Sequence, residues 1–481
     1  MKLNCGFVAI LTLGVAFLGC GGEIIGGSNH ETSKDAGLPT PVDDAGGPAV
    51  EADAGVPVVD SGGPDTAKDT GPVDAGPDHG SPSTTYPAFM PFMPPVVNHG
   101  GPVLASPQIV TISWTTDPLH ATWEWFDDTI GGTDYWKTTT SEYGVGAAVG
   151  GPTNHVELST AEPTWTDTDV ASFVQTNALD TTTSGWPAPS ANVLYTIYLP
   201  TSTSRTFQIQ NPGLVNACMS GAYGYHDSVS VPGVGNVAYA VVIQCPGGYG
   251  SPPTESASHE LIEAVTDPDP FSSGAYDGVN DNTYFAWDFF QAGFGPVGQP
   301  QSAGTEVGDM CEVYYDKDYS DSALGTVQRT WSNASATAGH APCVPAESGP
   351  YFNVTPLNQE AITVASSAIN GHTGTSTMGY SIPVGKTKTF PVGFYSDGPT
   401  SGPWTISAFD LGDAYDGQYF TSKTQSKVTV STDITQGENG QVAYVTVTVD
   451  SMDQTKCDLI MIRSVLGSAA HHYMPILICS N

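Results

Sequence analysis

An imidazole and two carboxylates stand together at His259, Glu260 and Glu263, inside the stretch Pro252–Asp269, PPTESASHELIEAVTDPD. If that stretch is a helix, His259 and Glu263 stack one turn apart on one face, and Glu260 points to a flank. Such a pair can hold one divalent ion, and Glu260 could then take a proton from a water that the ion activates. The same spacing also suits a plain helix pair worth about 0.2–0.5 kcal/mol with no metal.

The spacing is HExxE, one ligand away from the zincin motif HExxH. Two ligands do not complete a site, so a third is sought. Glu306 and Asp309 stand three apart in GTEVGDMCE (Gly304–Glu312), beside Cys311. Either could be the third ligand; both also suit turn and capping carboxylates, as Asp beside Gly commonly is. His226, in YGYHD, reads as a hydrogen-bonded structural residue. His471-His472 reads as a loop pair, because neighbours on a strand face opposite ways and could not share an ion.

The elements that must position these residues follow from periodicity. Thr254 or Ser256 suits the N-cap of the HExxE helix, Ala257, Leu261, Ala264 and Val265 make one apolar face, and Pro268 stops it. Upstream, Pro107–Thr115, Asn154–Ser159, Asn192–Leu199 and Asn236–Ile243 read as strands, and Leu119–Ile130 and Thr166–Leu179 as helices. The alternation predicts a mixed α/β domain over residues 86–348. With Asn236–Ile243 leading into the HExxE helix, the order is zincin-like, in which an edge strand lines the substrate cleft. Residues after the helix read as loop-rich, with Trp287 inside Tyr284–Phe290.

Several strings together resemble the plant phosphate-induced (Exordium-type) proteins and their bacterial relatives. They are His99-Gly100-Gly101-Pro102, the strand ending in Trp114, Tyr135-Trp136, His259-Glu260-Leu261 with Glu263-Ala264 and Pro268, and Glu306-Val307-Gly308-Asp309 with Cys311. The resemblance covers roughly Asn98 to Cys343. It implies a secreted α/β domain built round the HExxE helix, with Glu306 and Asp309 in a shared motif, in a family without a settled enzymatic activity. Asp267 stands where plant members tend to have Asn.

The ends add context. Met1-Lys2 and the apolar run Phe7–Leu18 read as a signal peptide over residues 1–19, too short to span a bilayer stably. Leu18-Gly19-Cys20 resembles a bacterial lipobox, making Cys20 a lipidated anchor, and Gly21 after it favours the outer membrane by resemblance to bacterial lipoproteins. Residues 20–85, rich in Gly, Pro, Asp and Ala, read as a disordered acidic tether. Net charge of −36 with 13 Lys+Arg argues against nucleic acid as a partner. The remaining folded part, roughly 400 residues, exceeds one typical core, so two domains are expected.

After Cys5 and Cys20, six cysteines remain, an even number that reads as disulfides in an exported chain. The simplest pairing is local: Cys218–Cys245, Cys311–Cys343 and Cys457–Cys479. From residue 349 to 481 helical patterns vanish. Short alternating runs at Glu360–Ser366, Thr387–Phe394, Trp404–Asp410, Lys427–Ser431, Gln441–Val449, Leu459–Ser464 and Tyr473–Cys479 predict an all-β sandwich domain.

Two functions follow. One is a lipid-anchored, zinc-dependent, metallopeptidase-like hydrolase acting on a peptide or cell-envelope substrate. It would use His259, Glu263 and Glu306 or Asp309 as ligands and Glu260 as base; calcium or manganese in place of zinc stays open. The other is a non-catalytic adhesion or envelope-interaction protein with a structural metal or polar site. Glu260 separates them, since only hydrolysis needs it. No G-x-S-x-G elbow, Walker loop or dinucleotide fingerprint is present.

Overall fold

In the computed structural model, the structure describes residues 77–480 apart from 161–163, 212, 221, 246–252, 293–304, 313–316, 365–373, 412–425, 453–455 and 468–469. The expected signal peptide, Cys20, most of the tether, Pro252 and Gly304 lie outside the described residues. The fold is mixed and largely β.

Strands β1 (Gln108–Trp114), β2 (His155–Leu158), β3 (Val193–Leu199), β4 (Gly224–Val231) and β5 (Gly235–Ile243) form one sheet in the order β2-β1-β3-β5-β4. The first four in that order run parallel, and β4 closes the edge antiparallel to β5. The strand expected ahead of the HExxE helix is therefore internal, and the edge strand is β4. The alternation of GYHDSVSV mixes polar side chains into a strand that is half covered, which hid it from an apolar-run reading.

Helices cover both faces of this sheet. They are α1 (His120–Ile130), α2 (Asp134–Thr140), α3 (Asp167–Leu179) and α4 (Pro253–Thr266). On one face α3 places Val170 and Val174 among Ile112, Tyr195 and Tyr239. On the other, Trp123 and Phe126 of α1 and Leu261 and Val265 of α4 pack with Leu194, Ala238 and Ala240. The alternation in β5 explains the approach of α4: the small Ala238 and Ala240 point at the helix, and the bulkier Tyr239 and Val241 point away.

Asp127 of α1 is wholly buried against this sheet, receiving hydrogen bonds from Tyr198 Oη at 2.6 Å and Thr111 Oγ1 at 2.7 Å. Burial raises its carboxyl to about 7, against the pull of those two donors. A carboxyl raised in the folded state contributes stability that is full below its unfolded value, near 4, and is lost as pH rises through about 7. Asp127→Asn should therefore flatten the stability of the protein between about pH 4 and 7. Thermal unfolding across that range checks it: an equal loss in wild type and variant would remove Asp127 as the cause.

Helix α4 departs from the amphipathic expectation. Glu255 and every residue from Ala257 to Thr266 is buried, so the polar residues of the helix face the protein interior. Thr254 and Ser256 lie inside the helix, and the Thr254 hydroxyl donates to Thr326 O. The segment Asn98–Pro102 clasps the loop that follows α4. His99 N donates to Ala275 O, Leu104 N reaches Val265 O, and a Cβ on Gly101 would overlap the carbonyls of Ser273 and Gly274.

Beyond α4 come α5 (Asp281–Ala292), the short α6 (Asp309–Glu312) and strand β6 (Gly325–Gln328). The region expected to be loop-rich thus contains α5, whose backbone kinks at Tyr284. Strands β7 (Phe352–Pro356), β8 (Glu360–Thr363), β9 (Ser376–Ser381), β10 (Thr387–Ser396), β11 (Trp404–Asp410), β12 (Lys427–Thr432), β13 (Gln436–Gly437), β14 (Val442–Ser451), β15 (Cys457–Leu466) and β16 (Ala470–Cys479) build two sheets. Their orders are β7-β10-β14-β12 and β8-β9-β16-β15-β11-β13. Phe352, Phe394, Val445, Ile460 and Ile476 meet between the sheets, giving a sandwich.

One apolar cluster runs from Leu261 and Trp331 through Met93 to Phe394 and Ile476, joining the α/β half to the sandwich. Helix α5 turns Phe285, Phe289 and Phe290 onto the outer face of β15 and β16, against Leu459, Met461 and Leu477. His471 and His472 lie on strand β16, not in a loop; His472 points inward, its ring centroid 4.5 Å from that of Tyr351. Residues 79–85, read as tether, are held on the sandwich: Val442 N donates to His79 O, and Asn439 Nδ2 donates to the carbonyls of Ser83 and Thr85.

Candidate metal centre

Four elements converge on one buried polar cluster. Helix α4 brings His259, Glu260 and Glu263; edge strand β4 brings His226; the turn into α6 brings Glu306 and Asp309; β6 brings Gln328. His259 and Glu260 are each 1 % exposed, Glu263 4 %, and His226 and Glu306 7 %.

His259 is fixed from behind. Its Nδ1 lies 3.1 Å from Gln328 Oε1, and the Gln328 amide in turn donates to Gly308 O at 2.9 Å. The amide oxygen can only accept, so Nδ1 carries the proton and Nε2 presents its lone pair. That Nε2 is buried and faces Glu263 Oε2 at 2.9 Å and Asp309 Oδ1 at 3.6 Å. Ligand atoms about 2.0–2.2 Å from a tetrahedral ion are spaced by about 3.3–3.6 Å; the Asp309 separation matches this, while the 2.9 Å to Glu263 is that of a direct ion pair and would open slightly around a cation.

Glu263 is the hub. Its Oε1 accepts from Gly308 N at 3.1 Å and Asp309 N at 3.0 Å, which locks the α6 turn to the helix. Its Oε2 faces His259 and, at 3.8 Å, His226 Nδ1. The donor atoms of His259, Glu263 and Asp309 lie within 4.8 Å of one another, and so do those of His226, Glu263 and Glu306. His226 Nε2 sits 3.0 Å from Asp267 O and 3.3 Å from Glu306 Oε2, and its Nδ1 sits 3.6 Å from Glu260 Oε2. The residue read as structural therefore belongs to the cluster, reaching it from β4 by a strand pairing that no local spacing reveals. Gln328 carried no sequence signal at all.

The electrostatics fit a missing positive charge. Burial lowers the His259 imidazole, but Glu263, Glu260 and Asp309 overcome it and hold it well above its usual value. Burial raises Glu306 and Asp309 well above the ordinary carboxyl range, and neighbouring Glu263 adds to both. Burial also works to raise Glu263, but His259 and His226 bring it below its usual value. Protons thus stand where a cation would, and binding one should release them. The convergence of two imidazoles and several buried carboxylates, with Glu306 Oε2 lacking a well-aligned hydrogen bond, fits a divalent ion.

Two glycines make the cluster possible. A Cβ on Gly224 would overlap the Glu260 carboxylate, and one on Gly308 would sit 2.7 Å from Glu263 Oε1 and 2.9 Å from His259 Nδ1. Gly308→Ala should weaken divalent-cation affinity about tenfold or more, roughly 1.4 kcal/mol, while leaving the fold intact. Titration calorimetry beside circular dichroism measures this; unchanged affinity would mean the turn yields freely. The three disulfides are Cys218–Cys245, Cys311–Cys343 and Cys457–Cys479. Cys311 lies in α6, so its bond pins the turn that bears Asp309.

No family model matches the chain, and no curated protein matches it. Among solved structures, domains 4 and 5 of the S-layer protein SbsC align over 26% of this chain and 53% of theirs, at 14% identity and a TM-score of 0.15. The chain thus spans about half of that fragment. A conjugative transposon lipoprotein from Bacteroides eggerthii aligns over 26% of this chain and 95% of its own, at 11% identity and a TM-score of 0.17. At such scores neither bears on fold or site, and the resemblance to phosphate-induced proteins stands on its motif strings alone.

Proposed function

We propose that this chain is an extracytoplasmic, lipid-anchored metalloprotein whose α/β half is a zincin-like, metallopeptidase-like hydrolase. The observation that carries it is His259 Nε2, buried, held in place by the Gln328 contact at Nδ1, and facing the carboxylates of Glu263 at 2.9 Å and Asp309 at 3.6 Å. His259, Glu263 and Asp309 hold a divalent cation, zinc in the first instance. A cation there supplies Lewis acidity and lowers the pKa of a bound water. Glu260, one residue from the ligand and buried beside His226, accepts the proton as general base. Glu306 stands on the His226 side, which favours Asp309 as the third ligand.

The sheet supports a peptide substrate. Antiparallel β4 lies at the sheet edge beside α4, and an edge strand can pair with an extended chain. Three disulfides support an exported setting; the membrane anchor and the outer-membrane placement rest on the lipobox-like Leu18-Gly19-Cys20.

The deep burial of His259, Glu260 and Glu263 favours a second reading, a structural cation, calcium among the choices, in a non-catalytic envelope-interaction protein. Elemental analysis of the purified full chain and its His259→Ala variant tests the shared premise. About one or more equivalents of zinc, lost in the variant, is the expected result. Calcium instead would favour the structural reading, and no metal in either protein would sink both.

A further inference from the structure

The cluster holds more donors than one cation can use. Glu263 belongs to two sets of three: His259, Glu263 and Asp309 on one side, and His226, Glu263 and Glu306 on the other. The outer donors do not mix. Asp309 Oδ1 is 3.6 Å from His259 Nε2, and Glu306 Oε2 is 3.3 Å from His226 Nε2; that nitrogen donates to the Asp267 carbonyl at 3.0 Å, so His226 would ligate through Nδ1, 3.8 Å from Glu263 Oε2. Among the described residues no ion pair within 4.0 Å joins His259 to Glu306 or His226 to Asp309.

We propose that the centre takes two divalent cations, the second held by His226, Glu263 and Glu306, with the Glu263 carboxylate bridging the pair. This rests on the reading of His259, Glu263 and Asp309 as the first cation's ligands. Glu306 supplies the independent observation: its Oε2 is buried with no hydrogen-bond partner, in a residue 7 % exposed, and it is directed at His226. Such an atom is costly to leave unsatisfied in a dry interior.

Charge points the same way. Four carboxylates, Glu260, Glu263, Glu306 and Asp309, meet two imidazoles in this cluster. With these four ionised and the imidazoles neutral, one dication leaves two of their negative charges uncompensated, and the buried Asp267 carboxylate beside His226 and Glu306 adds to that excess. Paired metal sites place their ions about 3.5–4 Å apart and stabilise both ends of a displacement, and a carboxylate facing both imidazoles through one oxygen is placed to bridge them. Each set is one imidazole with two carboxylates, which suits manganese as well as zinc.

The test is a count of ions. The full chain, stripped with chelator and dialysed, is titrated with manganese chloride by calorimetry and, separately, loaded and read by elemental analysis and electron paramagnetic resonance. Two equivalents and a spin-coupled manganese pair are expected for the wild type. Glu306→Gln, which keeps shape and hydrogen-bonding capacity, should hold one equivalent with an uncoupled signal; His226→Ala should do the same, with circular dichroism checking that it folds. One equivalent in the wild type, unchanged in Glu306→Gln, would overturn the second position and leave the first standing. No bound ion in the wild type would overturn both.

Discussion

Glu263→Ala is expected to abolish cation binding and to destabilise the protein by about 3–5 kcal/mol, the scale seen when one partner of a buried charged pair is removed. The residue does two jobs at once. Its Oε2 lies between the imidazoles, and its Oε1 accepts from the Gly308 and Asp309 amides. Alanine leaves both buried amides without an acceptor, at about 1–3 kcal/mol each, and frees the turn that carries Asp309. Glu263→Gln separates the jobs: the amide oxygen can still receive the turn, but the charge is gone. It should stay folded near the wild-type melting temperature while losing at least about a hundredfold in affinity. Calorimetry and thermal unfolding on both variants measure this. An alanine variant that keeps full cation content would remove Glu263 from the centre.

Glu260→Gln should leave cation content unchanged and lower peptide hydrolysis by about 10²–10⁴-fold, the usual contribution of a positioned general base. Its carboxylate lies beside His226 and fits under Gly224, where no side chain competes for the space. Glutamine fits the same space without basicity. Turnover of a peptide library by metal-loaded wild type and variant, with metal content of each, decides it. Equal turnover in both would take the base role from Glu260; a loaded wild type that cleaves nothing would leave the structural reading.

Part of this centre was legible in the sequence because its signal is local. HExxE puts His259 and Glu263 on one helix face by spacing alone, and Glu306 and Asp309 stand out beside Cys311. The alternating helices and strands of the first half and the period-two runs of the sandwich are local as well. His226 and Gln328 were not legible, because each reaches His259 or Glu260 through a strand pairing or a loop closure. Helix α5 was hidden by its own composition: DNTYFAWDFFQA carries aromatics round its circumference, since it is buried on more than one side. Strand β7 ends in Pro356, and a Pro, which cannot donate to a sheet, weakens the strand signal of so short a run.

Helix α5 belongs to one half of the chain by order and to the other by contact. Phe285, Phe289 and Phe290 lie on Leu459, Met461 and Leu477, and the cluster round Met93 runs on across the same junction. A gene cut near residue 349 would strip the sandwich of its cover and leave the aromatic side of α5 in water. The sandwich is therefore a poor unit for recombination. A lineage would have to inherit the helix, the histidine–carboxylate cluster and the sandwich as one block.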